Sequence, residues 1–247
     1  MCGRYCLTVD GSALVKLLGL EKAFSWMPRF NLAPTQMVPV VRRPPLAMAG
    51  EVKQQLDLLR WGFVPSWAKD IKVGARMINA RSETVCEKPA FRSAVCQRRC
   101  LVPADGFFEW KTLAGGGKQP YCIRMRGGSL FAFAGIWEQW QGDLNQDRGL
   151  FGEDVSGGVI ESFSILTTRP NRLVRSIHDR MPVILDASDF GRWLDPQVRE
   201  ASDVEALVAA VAQPLSDSVM EAYPVHSQMN RVAFDQPSVL EPLPNTE

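Results

Sequence analysis

The chain has 247 residues, of which 46% are hydrophobic, and its 28 Lys and Arg against 27 Asp and Glu leave a formal net charge of +1. This balance excludes a protein that binds polyanions through a high overall positive charge, but it is compatible with a local basic groove. The sequence has no run of about 18 apolar residues that could cross a membrane, and its start lacks the pattern of a signal peptide.

The cysteine pattern argues against metal and disulfide sites. None of the six cysteines forms a C-x-x-C pair, and only two histidines accompany them. We therefore expect no bound metal and no cofactor. In a cytosolic chain we expect no disulfide framework either, so most of the cysteines are predicted to be buried free thiols. The two histidines leave few candidates for acid–base chemistry.

The first element in chain order is the terminal segment with Cys2. Once Met1 is removed, the α-amine and the thiol of Cys2 lie on adjacent carbons, with reference pKa values of about 8 and 8.5. An aldehyde could form a Schiff base with the amine and then accept the thiol, which closes a thiazolidine ring. An internal cysteine lacks the amine. The alternative is that Cys2 is an ordinary residue in a frayed terminus, and the local sequence leaves both open.

Hydrophobic periodicity and breaker residues predict the elements of the first half of the chain. They are a helix at 11–20, a turn at 31–35, strands at 37–42 and 56–61, a loop at 61–67, a polar cluster at 78–84, a strand at 98–102, and a turn followed by a strand at 104–111. The loop at 61–67 contains Trp61 and Trp67 beside Gly and Pro. Indoles on such a loop favour stacking on bases, and core packing is the alternative.

Glu109 lies among three aromatic residues, which is an unusual place for a carboxylate. Phe107 and Phe108 precede it and Trp110 follows it. Burial there would raise its pKa and suit it to proton transfer near neutral pH. An exposed position on the polar side of the strand is the alternative, and the local sequence does not decide between them.

The second half of the chain is predicted to contain further strands, an insertion and two helices. They are a hairpin of 121–126 and 129–137 around Gly127-Gly128, a flexible insertion at 141–158, a strand at 162–168, an arginine-rich stretch at 169–180, an apolar strand at 183–185, helices at 187–194 and 203–211, and a mostly extended tail at 224–244. Many short strands without a βα alternation predict an α+β fold with a curved, barrel-like, mainly antiparallel sheet flanked by a few helices. We expect one domain over 1–247, with a disordered tail at 243–247.

Six short motifs occur in an order that resembles the SRAP family (SOS response-associated peptidase). They are Met1-Cys2-Gly3-Arg4-Tyr5, Asn31-Leu32-Ala33-Pro34-Thr35, Trp61-Gly62-Phe63-Val64-Pro65, Asn79-Ala80-Arg81-Ser82-Glu83, Ala104-Asp105-Gly106-Phe107-Phe108-Glu109-Trp110 and Ile177-His178-Asp179-Arg180-Met181-Pro182. The likeness runs to about residue 242. It implies a protein that crosslinks to abasic sites in single-stranded DNA as a monomer. It also implies a cytoplasmic location, on the nucleoid when DNA is damaged, and no membrane or metal partner.

The resemblance also implies roles for individual residues. Cys2 matches the nucleophile, Asn79 an active-site amide, Glu109 the acid–base carboxylate and His178 the imidazole that assists sugar ring opening. The implied DNA contacts are the phosphate-binding arginines Arg4, Arg81 and Arg180, and the aromatic residues Trp67 and Trp110. Two departures limit the transfer, because Ala68 stands where some relatives have a second tryptophan and 141–158 has no clear counterpart.

Three other functions are compatible with parts of the sequence. Class II glutamine amidotransferases also begin Met-Cys-Gly, but the chain contains no Asn-Gly dipeptide for their oxyanion site. A noncatalytic single-strand DNA binder would leave Cys2 inert. The peptidase in the family's name would most naturally be a self-processing activity that exposes Cys2.

Overall fold

The computed structural model describes residues 2–43, 54–142 and 158–244. The strands in these ranges are β1 (Arg4–Leu7), β2 (Arg29–Leu32), β3 (Met37–Arg42), β4 (Gln55–Trp61), β5 (Asn79–Arg81), β6 (Arg99–Ala104), β7 (Gly106–Thr112), β8 (Lys118–Met125), β9 (Phe131–Gln141), β10 (Val159–Thr168), β11 (Met181–Pro182), β12 (Ile184–Leu185) and β13 (Met220–Pro224). The α-helices are α1 (Gly11–Leu17), α2 (Arg92–Gln97), α3 (Arg172–Arg175), α4 (Phe190–Trp193) and α5 (Ala201–Val211). Short 3-10 turns occur at Ile71–Arg76, Ala187–Asp189, Asp217–Val219, Ser227–Asn230 and Pro237–Leu240.

The strands form two sheets, one of which closes into a barrel. The smaller sheet has the order β13-β8-β7-β1-β2, and the larger has the path β11-β10-β4-β3-β6-β9-β12. A further pairing between β10 and β9 closes the ring β10-β4-β3-β6-β9. Within the described residues only β4 and β5 pair in parallel with β10. The predicted α+β fold with a barrel-like, mainly antiparallel sheet is confirmed.

Tyr5 joins the two sheets through aromatic contacts. It belongs to β1 in the smaller sheet and is fully buried. Its ring centroid lies 5.2 Å from that of Trp61 and 5.7 Å from that of Phe133, both in the larger sheet. Edge-to-face contacts of this kind stabilise a core beyond the area they bury. They fix β1, and with it the chain terminus, between the two sheets.

Local patterns predicted the paired strands β3 and β4 well. The predicted strand at 37–42 coincides with β3, and that at 56–61 begins one residue later than β4. The predicted turn at 31–35 was partly wrong, because residues 31 and 32 belong to β2. All six cysteines are free and four of them are buried, as predicted.

The predicted hairpin of 121–126 and 129–137 is wrong. The turn exists, since Gly127 and Gly128 have φ angles of 81° and 70°. However, β8 pairs with β7 and β13 in the smaller sheet, whereas β9 pairs with β6, β10 and β12 in the larger one. The turn therefore carries the chain from one sheet to the other, because each segment pairs with strands other than its neighbour across the turn.

The tail folds back onto the smaller sheet as a C-terminal strap, defined here as residues 225–243. Its ends meet where Val225 pairs with Pro242 and the N–H of Leu243 donates to the carbonyl of Pro224 over 2.9 Å. Its 3-10 turns correct the prediction of a mostly extended tail. Most of the predicted insertion at 141–158 and the last residues of the predicted disordered tail lie outside the described residues. Among the described helices, none has the length and apolarity needed to cross a bilayer.

Candidate active site

Cys2 lies at the start of β1, against the strand that contains Glu109. Arg4 of β1 is paired with Phe108 of β7, so the segment before Arg4 runs alongside Glu109. Cys2 is completely buried. The side-chain N–H of Asn79 donates to the carbonyl oxygen of Cys2 over 2.8 Å, which fixes the backbone at Cys2. Cys2 is thus held in the interior, contrary to the alternative of a frayed terminus.

Glu109 is a buried carboxylate beside an imidazole. Its side chain is 2% exposed, and its Oε2 lies 3.9 Å from Nε2 of His178. Burial raises the pKa of Glu109 to about 7. The buried interpretation of Glu109 is therefore correct. A carboxyl group with this pKa can exchange a proton at neutral pH.

His178 has a defined orientation and proton arrangement. The backbone N–H of Arg180 donates to its Nδ1 over 3.0 Å, so the neutral ring has its proton on Nε2, facing Glu109. Burial lowers the pKa of His178, which favours this neutral form. The side chain is 26% exposed, so the imidazole connects the buried Glu109 with solvent.

The thiol of Cys2 is held in its protonated form. Burial raises its pKa well above the ordinary value, and the negative charge of Glu109 raises it further. The sulfur lies 3.9 Å from the carbonyl oxygen of Arg4. A protonated thiol is a weak nucleophile. In this environment the thiol needs a base to remove its proton before the sulfur can react.

Two arginines and a carboxylate lie near Cys2 and Glu109, on the segments that contain Asn79 and His178. Arg81 follows Asn79 in β5, and Arg180 follows His178. Arg180 forms a bidentate ion pair with Glu83, with distances of 2.6 and 2.8 Å, and donates to the carbonyl of Thr167 over 2.7 Å. Arg81, opposite Thr167, is exposed, and within the described ranges no carboxylate pairs with it. Hereafter Cys2 and Glu109 are the floor of the site, and Arg81, Glu83 and Arg180 are its rim.

The two predicted DNA-stacking tryptophans differ in exposure. Trp67 is 67% exposed on a loop that begins at Gly62, whose φ of 131° favours glycine. The indole N–H of Trp140 donates to the carbonyl of Ala68 over 2.7 Å and anchors the loop. Trp110 is half-buried in β7, and its indole N–H donates to the side-chain oxygen of Asn230 over 2.8 Å. Trp67 is the more accessible stacking surface.

Arg4 differs from the prediction in what it contacts. Its guanidinium donates to the side-chain oxygen of Asn31 over 2.9 Å and to the carbonyls of Met229 and Asn230 over 3.1 and 3.2 Å. The structure therefore brings Cys2, Asn79, Glu109 and His178 together with Arg81 and Arg180 at the edge, and it directs Arg4 toward the C-terminal strap. Phosphate binding by Arg4 remains a prediction.

Sequence reasoning missed three polar residues around Arg4. Asn31, Asn230 and Asp235 connect β1 and β2 to the strap. The only available signal was that Asn31 opens one of the six motifs. Its partners lie about 200 residues away in the sequence, so no local pattern indicated them.

Known proteins match this chain over nearly its whole length. Residues 1–232 match the family described as SOS response associated peptidase (SRAP). The chain is 35% identical over 244 residues to a Bacillus subtilis protein named "Abasic site processing protein YoqW", covering 98% of this chain and 99% of that one. It is 37% identical over 234 residues to "Abasic site processing protein YoaM" of the same organism, covering 93% of each.

More distant proteins share the same extent. "Abasic site processing protein HMCES" of Gallus gallus is 29% identical over 280 residues, covering 98% of this chain and 78% of that one. A crystal structure of a Bacteroides thetaiotaomicron protein has a TM-score of 0.79 at 23% identity, covers 98% of this chain and 100% of its own, and supports the fold. The family match and the two Bacillus relatives span nearly the whole sequence, and the chain therefore belongs to the SRAP family.

Proposed function

We propose that this protein captures abasic sites in single-stranded DNA by forming a covalent thiazolidine through the amine and thiol of Cys2 after Met1 is removed. The crosslink would shield the lesion during the response to DNA damage. The single observation that supports this most is the burial of Cys2 next to Glu109, a carboxyl group with a pKa of about 7. The names of the relatives, abasic site processing proteins, support the substrate class.

The proposed reaction is balanced without any oxidant or reductant. The neutral amine of Cys2 adds to the C1′ aldehyde of the ring-opened deoxyribose and gives a carbinolamine. Loss of one water forms the carbon–nitrogen double bond of a Schiff base. The sulfur then adds to the same carbon, and the thiol proton passes through a base to the nitrogen. One carbon–nitrogen and one carbon–sulfur bond form in total, and one water leaves.

Glu109 has two tasks in this scheme. In its protonated form it donates the proton that expels water from the carbinolamine, and as a carboxylate it accepts the proton of the thiol. A pKa near 7 allows both forms at neutral pH. The raised pKa of the Cys2 thiol gives the second task a reason, because a protonated thiol needs a base when it adds.

His178 is assigned to the opening of the sugar. An abasic deoxyribose exists mainly as a closed hemiacetal, and opening it requires proton transfer at the ring oxygen and the hydroxyl. The neutral imidazole directs its Nε2–H toward Oε2 of Glu109, 3.9 Å away, and 26% of the histidine side chain is exposed to solvent. It can therefore exchange protons with the sugar, with Glu109 and with solvent.

The rim and the exposed tryptophan are assigned to DNA binding. Arg81 is exposed beside the site, and Arg180 shares its position but is partly neutralised by Glu83. Trp67 offers an exposed indole on which bases of any sequence can stack. Local positive charge and stacking together suit a nearly neutral protein that binds single strands without sequence preference.

We assign the peptidase activity in the family's description to the release of Met1. Hydrolysis of the bond between Met1 and Cys2 would expose the amine that the capture reaction requires. The same Glu109 and Cys2 supply a proton-transfer group and a nucleophile next to that bond. Glutamine hydrolysis, the main alternative chemistry for an N-terminal cysteine, is not supported by the relatives that match the chain.

The proposal is tested by incubating the protein with uracil-excised single-stranded DNA and separating the products on a denaturing gel. The wild-type protein should give a denaturation-resistant product whose mass lacks Met1, and Cys2→Ala should give none because a thiazolidine needs both groups of the aminothiol. Cys2→Ala should still bind intact single strands, which controls for folding. Equal crosslinking by Cys2→Ala, or full crosslinking by protein that retains Met1, would refute the mechanism.

A further inference from the structure

We propose that Arg4 and Asn31 are positioning residues, which hold the strand that presents Cys2 against the C-terminal strap, and that this is the main contribution of Arg4 to capture. The inference rests on the proposed function and adds residues to it. It also changes the expected role of Arg4, which the family resemblance assigns to phosphate binding.

The guanidinium of Arg4 is surrounded by protein acceptors. Nη1 donates to Oδ1 of Asn31 and to the carbonyl of Met229, and Nη2 donates to the carbonyl of Asn230. Three donors of one planar group therefore point at three fixed oxygens. Arg4 is only two residues from Cys2, and both belong to the segment that runs along β7. A shift of the guanidinium would move the backbone of the nucleophile.

Asn31 is the centre of this network. It is completely buried in β2, the neighbour of β1. Its side-chain oxygen accepts from Arg4, while its side-chain nitrogen lies 2.9 Å from the carbonyl of Met229, 2.9 Å from that of Phe234 and 3.1 Å from that of Arg231. A buried amide with partners on both ends fixes the distance between strand and strap.

Asp235 provides a second connection between the strap and β2. Its Oδ1 accepts from the backbone N–H groups of Phe30 and Asn31 over 2.6 and 2.8 Å, and its Oδ2 is paired with the side chain of Arg29. Because these bonds involve β2 and not β1, the strap is held in place independently of Arg4.

Apolar contacts and an indole complete the strap. Met229 is completely buried in a cluster with Cys6 of β1, the strand that follows Cys2, and Phe108 of β7, the strand that pairs with β1. Asn230 orients Trp110, the residue after Glu109, through its indole N–H. One 3-10 turn of the strap therefore contacts Arg4, which is near Cys2, and Trp110, which is next to Glu109. The strap thus contacts a residue close in sequence to each of the two floor residues.

The position of Cys2 matters because the rate of a reaction depends strongly on how closely the reacting groups are aligned. A misplacement of about 1 Å in a reacting group can reduce a rate about 10²-fold. A lysine at position 4 keeps the positive charge and can still serve as a phosphate ligand, but it lacks the planar fork that reaches three acceptors. Arg4→Lys therefore separates positioning from phosphate binding.

The experiment measures two quantities on abasic single-stranded DNA for each variant. One is the rate of crosslinking in the fully bound complex, and the other is the slope of binding affinity against salt, measured on intact single strands. The variants are Arg4→Lys, Arg4→Met and Asn31→Ala, and each is assayed below its melting temperature. Arg81→Met is the matched control, since it removes an exposed arginine that forms no hydrogen bond with the described residues of the strap.

Positioning predicts that all three variants crosslink at least about tenfold more slowly once bound. It also predicts an unchanged salt slope for Arg4→Met, whereas Arg81→Met should lower the slope by about 0.7, the value for one phosphate on a single strand. Wild-type rates in Arg4→Lys together with a slope lowered by about 0.7 in Arg4→Met would overturn the inference. Failure of the wild-type protein itself to crosslink would instead contradict the proposed function.

Discussion

Glu109 in the floor and Glu83 in the rim are two carboxylates of one site with opposite environments. Glu109 is 2% exposed, and burial raises its pKa to about 7. Glu83 is 49% exposed, and the hydrogen bonds that it accepts from Arg180 lower its pKa. The floor thus favours the protonated acid and the rim favours the anion.

Under the proposed function, this difference separates the chemistry of the floor from binding at the rim. A group that must exchange protons near neutral pH needs burial, and burial costs folding stability when the group is charged. A group that sets the local charge for a polyanion must stay ionised, which requires solvent and a partner of opposite sign. The two kinds of group come from different segments, since Glu109 belongs to β7 and Glu83 follows β5.

The largest effect is expected from removing the acid in the floor. Glu109→Gln keeps the shape but not the proton, so capture in the bound complex should slow by about 10²- to 10⁴-fold, the usual contribution of acid–base catalysis. The wild-type rate, where loss of water is limiting, should fall as the pH rises through about 7, because Glu109 then loses its proton. Single-turnover crosslinking over a range of pH measures both.

Glu83→Gln is the matched control for this prediction, since it changes a carboxylate of the rim in the same way. It should leave the rate in the bound complex and its pH dependence as in the wild type. An inflection near pH 7 that persists in Glu109→Gln would show that another group is the acid.

The second prediction concerns the free energy of unfolding, which should change in opposite directions when each of the two carboxylates is replaced by glutamine. The pKa of Glu109 rises from 4.5 to about 7 on folding, which corresponds to about 3 kcal/mol. Its contribution to stability is complete below pH 4.5 and is lost as the pH rises through about 7. Glu109→Gln should therefore be more stable than the wild type at pH 8, with a melting temperature higher by about 6 to 12 °C, and equally stable near pH 4.

Glu83→Gln should instead be less stable than the wild type at neutral pH, and the change should be smaller. The lowered pKa of Glu83 means that its contribution is present above pH 4.5 and is lost as the pH falls through the folded value. Because the side chain is half exposed, its loss should cost less than about 1 kcal/mol at pH 7. Thermal melts of both variants near pH 4, at pH 7 and at pH 8 measure these changes. Destabilisation of Glu109→Gln at pH 8 would contradict the comparison.

The smallest effect is expected in DNA affinity at the rim. Arg81→Ala should lower the slope of affinity against salt by about 0.7 and weaken binding several-fold. Glu83→Gln should raise affinity, because it releases the guanidinium of Arg180 from its ion pair. Titrations of intact single strands at several salt concentrations test both, and weaker binding by Glu83→Gln would mean that the pair itself shapes the DNA surface.

Local sequence predicted the parts of the fold whose partners are near in the chain. The strands β3 and β4 are mainly apolar and the prolines at 44 and 45 separate them, so their bounds were close to correct. The hairpin after Tyr121 failed because its turn has hairpin chemistry while its strands pair elsewhere. The pairing of β8 with β7 and β13, and of β9 with β6, β10 and β12, is decided by the whole core and not by the turn.

The sequence predicted the chemical groups of the candidate site better than it predicted their spatial arrangement. The aromatic neighbours of Glu109 indicated a buried carboxylate, and the structure confirms it. The proximity of Cys2, Asn79, Glu109 and His178 came from the resemblance to a family and not from any local pattern. The ion pair of Arg180 and the contacts of Arg4 could not be anticipated, since each depends on residues that only the fold brings close.

The contact between Arg4 and Met229 also sets an order of events during synthesis. The two residues are 225 positions apart in the chain. At about 5 to 20 residues per second, roughly 10 to 50 s pass between their appearance on the ribosome. Throughout that interval the nascent terminus lacks the strap. The hydrogen bonds that hold Arg4 against the strap, and with them the final position of the strand that follows Cys2, can therefore form only when translation is nearly complete.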